Sequence, residues 1–74
     1  MSADLVIDCT GQICPLPVLA LGRHIDEVGI GEVVELRADD PAAAVDVPAW
    51  CRMRNQELLS ADAAAGTYRV RRAS

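Results

Sequence analysis

The stretch Gly11-Gln12-Ile13-Cys14-Pro15-Leu16-Pro17 decides how this chain folds. Proline holds φ near the helical value and has no N–H to lose, so it suits the first turn of a helix. Pro15 and Pro17, at alternate positions, therefore mark a start and cannot lie deep inside a helix. Beyond them Val18, Leu19, Leu21, Ile25 and Val28 recur close to a 3.6-residue period. The spacing predicts a helix over 15–28, with Gly29 as its C-terminal stop. Cys14 then falls at the N-cap or just before it. Unpaired N–H groups and the positive end of the helix dipole favour an anion there. The expectation is a Cys14 pKa shifted downward, toward the nucleophilic thiolate. Gly11 permits a turn that lets another molecule approach the sulfur. The same placement also fits an inert cysteine, because free cysteine is among the most buried residue types.

Upstream, residues 1–4 read as a loose start, and Leu5-Val6-Ile7, ending at Asp8, reads as a buried strand. Cys9 is expected as a small residue at the strand end. Downstream, residues 32–38 alternate, with Val34, Leu36 and Ala38 on one face and Val33, Glu35 and Arg37 on the other. This is a strand with one wet face. Asp39-Asp40-Pro41 breaks it, and the two carboxylates read as capping groups. A helical turn over 42–45 is followed by Asp46-Val47-Pro48, where a fresh cap and a kink or restart are expected, and 49–54 completes the second helix. Trp50 is placed at the core or its rim and Cys51 in the core. Residues 57–61 form a third strand and 67–72 a fourth. In the fourth, Arg69 and Arg71 point away from Tyr68 and Val70, and with Arg37 they form a basic stripe or a plain solvated face. Gly22 inside the first helix is explained by close packing against the sheet.

The order is β-α-β-α-β-β. A strand–helix–strand crossover implies parallel pairing, and the closing pair implies a hairpin. Two helices cannot cover both faces of four strands. The economical answer is a two-layer α/β sandwich: a four-stranded mixed sheet with both helices on one face.

Composition narrows the function. Seventy-four residues fit a single domain, 1–74, which buries only roughly 60% of its unfolded surface and holds no deep substrate chamber. The net charge is −4 and there is no lysine. An acidic chain is a poor nonspecific nucleic-acid binder, and Schiff-base chemistry is excluded. Three cysteines (Cys9, Cys14 and Cys51) are an odd number, and no signal-peptide pattern precedes them. The expected setting is cytoplasmic, with reduced thiols. No apolar run reaches membrane-spanning length. The cysteines and the single His24 lack the paired spacing of zinc sites, so neither a metal nor another cofactor is expected.

The pattern Asp8-x-x-Gly11-x-x-Cys14-Pro15-x-Pro17 resembles the signature of the TusA-type (SirA-like) sulfur carriers. A second match is Ala38-Asp39-Asp40-Pro41-Ala42, followed by Asp46-Val47-Pro48 and Trp50-Cys51. The resemblance covers nearly the whole chain and implies the same two-layer sandwich. It implies that Cys14 carries sulfur as a persulfide, with Gly11, Pro15 and Pro17 setting the geometry. It implies a sulfurtransferase-type carrier that works with partner enzymes. The donor would be a cysteine desulfurase or a rhodanese. The acceptor would serve tRNA thiolation, sulfur oxidation or cofactor maturation. Where the family often has a basic pair in the first helix, this chain has Leu21-Gly22-Arg23-His24, so Arg23 and His24 are the candidate docking residues. The free chain is expected to be a monomer. Two other readings stand beside this one: a small regulatory or interaction module without covalent chemistry, and a redox switch between Cys9 and Cys14.

Overall fold

The computed structural model describes residues 3–74. Its elements are β1 (Leu5–Asp8), α1 (Leu16–His24), a single 3-10 turn (Ile25–Glu27), β2 (Val33–Arg37), α2 (Ala43–Arg54), β3 (Glu57–Asp62) and β4 (Thr67–Arg71). The four strands lie in the order β1-β2-β4-β3. β1 and β2 are parallel, with Leu5 opposite Val34 and Ile7 opposite Leu36. β4 is antiparallel to both β2 and β3. The mixed sheet and two-helix order agree with the expectation. One core, mainly aliphatic but including Tyr68 and Trp50, lies between the layers. Val34, Leu36 and Val70 are 0% exposed, as are Leu21 of α1 and Val47 of α2. The alternation read in 32–38 is the reason, since it sends every second side chain to the helix layer.

Several local expectations are corrected. The first helix begins at Leu16 and turns 3-10 at Ile25, and Val28 is already extended at φ −107° and ψ 157°. Gly29 is not its left-handed stop; the positive-φ glycines are Gly11, Gly31 and Gly66. Ile25 and Val28 stay buried through this change of pitch, because a 3-10 turn also returns a side chain to one face after three residues. α2 is one helix with Pro48 inside it, not two pieces. β1 is an edge strand, and Val6 is 47% exposed. Of the expected loose start, Met1 and Ser2 lie outside the described residues, while Asp4 is tied to β2 by its N–H to the Val33 carbonyl and its carboxylate to the Val33 N–H, each 2.8 Å. Gly22 faces α2 rather than the sheet: a Cβ there would stand 3.7 Å from Trp50 Nε1.

The basic stripe on the open face of the sheet is neutralised. Arg37 and Arg69 both reach Glu35, at 2.9 Å each, and Arg71 grips Glu57 through two nitrogens. The register explains this, because Glu35 faces Arg69 and Glu57 faces Arg71 across the ladders.

Candidate functional site

Because β1 and β2 run parallel, the segments that leave them for α1 and α2 emerge at the same end of the sheet. Antiparallel β4 begins at that end as well, with Thr67 opposite Arg37. Residues far apart in sequence therefore meet around 9–15. The Asp8 carboxylate accepts the Thr10 N–H at 3.0 Å, and Gly11 follows at φ +84°. Nothing lies within 4 Å of a Cβ built on Gly11, so the backbone conformation, not space, requires glycine. The Gly11 N–H donates to Asp39 Oδ1 at 3.0 Å, and the Cys14 N–H to Asp40 Oδ2 at 2.6 Å. The other Asp40 oxygen accepts the Ala42 N–H at 3.2 Å, a turn contact ahead of α2 rather than the cap expected from the sequence, since α2 has no side-chain cap bond. Ala38, next to this pair, donates its N–H to the Gly66 carbonyl at 2.9 Å.

Cys14 is the exposed cysteine of the three; Cys9 and Cys51 are each 2% exposed in the core. Ile13 beside it is 70% exposed. The Cys14–Pro15 bond is cis, Pro15 is the N-cap of α1, and Pro17 is buried one residue inside the helix. The Cys14 thiol donates a hydrogen bond to Asp46 Oδ2 on α2, 2.8 Å away.

This arrangement overturns the expected downward pKa shift. The hydrogen bond to Asp46 raises the Cys14 thiol above its ordinary 9.0; desolvation and the charges of Asp46 and Asp40 add to the rise. The helix start offers little to oppose it. Pro15 and Pro17 have no N–H, and the Leu16 N–H is taken by the Ile13 carbonyl. The residues that mark the helix start thus remove donors that an anion would have used. Burial likewise raises the Cys9 thiol, with the Asp8 charge adding to it.

Sequence reading placed Cys14, Gly11, Pro15 and Pro17 together, and the structure does bring them together. It missed Asp46 as the sulfur's partner and took it for a helix cap. The available signal was its place in the second matched stretch, but 32 residues separate it from Cys14. Arg23 and His24 belong to a cleft whose lining does not include Cys14. It is shallow, about 350 Å³ between α1 and the β1 edge, and they line it together with Ile7, Gln12, Leu16 and Leu19. Arg23 is exposed, and His24 pairs with Glu27 through Nδ1. Among the described residues no group of three or more potential ligands could hold a metal, and no helix is long and apolar enough to cross a membrane.

A family model described as Sulfurtransferase TusA matches residues 5–71. The Sulfur carrier protein TusA of Pseudomonas entomophila (strain L48) is 40% identical over 65 residues, which cover 88% of this chain and 81% of the relative. A Putative sulfur carrier protein of Archaeoglobus fulgidus is 42% identical over 53 residues, covering 72% and 69%. The crystal structure of a SirA-like protein from Desulfitobacterium hafniense superposes with a TM-score of 0.65 at 28% identity, covering 89% of this chain and 90% of that one. With the family model spanning nearly the whole chain and the fold shared, the chain belongs to the TusA/SirA-like sulfur-carrier family.

Proposed function

We propose that this protein is a sulfur relay. Cys14 takes a sulfane sulfur from a donor protein, holds it as a persulfide and passes it to an acceptor protein. The observation that carries this reading is the exposure of Cys14 on a pinned loop while Cys9 and Cys51 are buried. A sulfur that must meet two proteins in turn has to stand clear of its own fold. A site at which a partner supplies the rest of the active centre needs no chamber, and the exposed Ile13, Leu16 and Leu19 offer apolar surface beside it. Arg23 and His24, on the same cleft as Leu16 and Leu19, would contribute the docking charge.

The transfer is an exchange between sulfurs. The Cys14 thiolate attacks the outer sulfur of the donor's persulfide, and the bond between the donor's two sulfurs breaks. The donor cysteine leaves as a thiolate and regains a proton. A thiol of the acceptor then attacks the outer sulfur on Cys14 in the same way. The sulfane sulfur is neither oxidised nor reduced in either step.

Intact mass tests this directly. After incubation with a cysteine desulfurase and cysteine, wild type should gain one sulfur atom, reductant should remove it, and Cys14→Ser should gain none. No gain here or with thiosulfate and a rhodanese would sink the relay and favour a noncovalent interaction module. A gain that survives in Cys14→Ser would move the sulfur to another cysteine.

A further inference from the structure

We propose that Asp46 is the positioning residue of the sulfur site: its carboxylate holds the proton of the unloaded Cys14 thiol and aims Sγ, so the free protein carries a guarded thiol. This rests on the relay reading above and adds a state to it. An aspartate in the first turn of a helix ordinarily serves the helix end. Asp46 stands there, yet α2 has no side-chain cap, and the carboxylate is spent on Cys14 Sγ at 2.8 Å. The Cys14 backbone is tied separately, through its N–H to Asp40 Oδ2 at 2.6 Å. One anchor lies in the loop between β2 and α2 and the other in the first turn of α2, so one continuous stretch of chain, 40–46, holds Cys14 through two bonds.

The charges that face the sulfur are Asp46 on α2 and Asp40 in the loop before it, and both are negative. Asp39, next in the loop, holds Gly11. None of these three carboxylates forms an ion pair among the described residues. A thiolate is disfavoured in that setting, and small oxidants and electrophiles react with the thiolate. Loading changes the bonding. In the net exchange, donor–S–SH and Cys14–SH become donor–SH and Cys14–S–SH, and the proton leaving Cys14 matches the one gained by the donor's thiolate. Sγ then bears no proton, so the hydrogen bond to Asp46 exists only in the unloaded state.

The test is the pH profile of Cys14 alkylation by iodoacetamide, read at that residue by mass spectrometry, in wild type and Asp46→Asn. Removing the charge should move the profile to lower pH. Each unit of decrease raises the thiolate fraction tenfold and, with a Brønsted slope of about 0.4–0.5, returns about threefold in nucleophilicity. Asp46→Asn should therefore react about threefold faster at pH 7 per unit moved. A folded variant whose profile is unmoved, or moved to higher pH, overturns the proposal. A merely structural Asp46 would alter stability without moving the profile. Should Asp46→Asn not fold, the infrared S–H stretch of wild type decides, assigned by difference from Cys14→Ser. A band lowered by hydrogen bonding supports the contact, and a band at the free-thiol position overturns it. Neither readout involves a sulfur donor, so a failed guard and a failed relay are told apart by whether Cys14 loads.

Discussion

At Gly66 a Cβ would stand 2.9 Å from the Ala38 carbonyl oxygen, and the residue sits at φ +70°. At Gly22 the nearest atom to a Cβ is Trp50 Nε1 at 3.7 Å, an ordinary contact on a helical backbone. The same substitution should therefore have opposite effects. Gly66→Ala should lose about 1–3 kcal/mol, because neither the backbone conformation nor the space accepts a side chain. Gly22→Ala should gain about 0.5–1 kcal/mol from helix propensity alone. Urea unfolding of both variants checks the pair. Gly66→Ala should also loosen the Ala38–Gly66 hydrogen bond next to Asp39 and Asp40, and so reach the sulfur site from the far hairpin.

At the scale of elements, α2 does two tasks. Its inner face brings Val47, Trp50 and Cys51 to the core, and its first turn presents Asp46 to Cys14. Pro48 interrupts the hydrogen-bond ladder in between, since it cannot donate to the Ala44 carbonyl four residues back. Ala44 is exposed, so water can serve that carbonyl. Pro48→Ala should therefore stabilise the fold by about 1 kcal/mol, less than the ~3 kcal/mol usual for proline in a helix interior. Thermal unfolding reads the gain. At the other end, Asn55 closes α2 at φ 57° and its N–H returns to the Cys51 carbonyl, the left-handed ending that asparagine tolerates.

For the whole molecule, acid should act through the open face of the sheet. The hydrogen bonds from Arg37 and then Arg69, with their charges, hold the Glu35 carboxyl below its ordinary 4.5. A carboxyl lowered on folding contributes stability that is complete above its unfolded value. That stability is lost as pH falls through the folded value. Glu35→Gln should melt lower than wild type at pH 7, and the gap should narrow as pH falls from about 4.5 through the lower folded value, below which both chains carry a neutral group at this position. Melting curves across pH 2–7 measure that narrowing.

Periodicity and turn chemistry determined much of this protein before any contact was known. The 3.6-residue spacing after Pro17 placed α1, the alternation over 32–38 placed β2, and the strand–helix order fixed a two-layer mixed sheet. These are local signals, carried by residues within a few positions of one another. Gly11, Cys14, Pro15 and Pro17 were legible as a candidate site for the same reason. The protonation of that site was not. Cys14 meets Asp40 and Asp46 across 26 and 32 residues, and only the parallel pairing of β1 with β2 brings their loops to one end of the sheet. The local helix dipole argued for a thiolate; tertiary structure set carboxylates against it, while Pro15, Pro17 and the local Leu16–Ile13 bond leave the helix start short of donors. The neutral stripe on the open face followed the same rule, because Glu35 and Arg69 become neighbours only once β2 and β4 are paired.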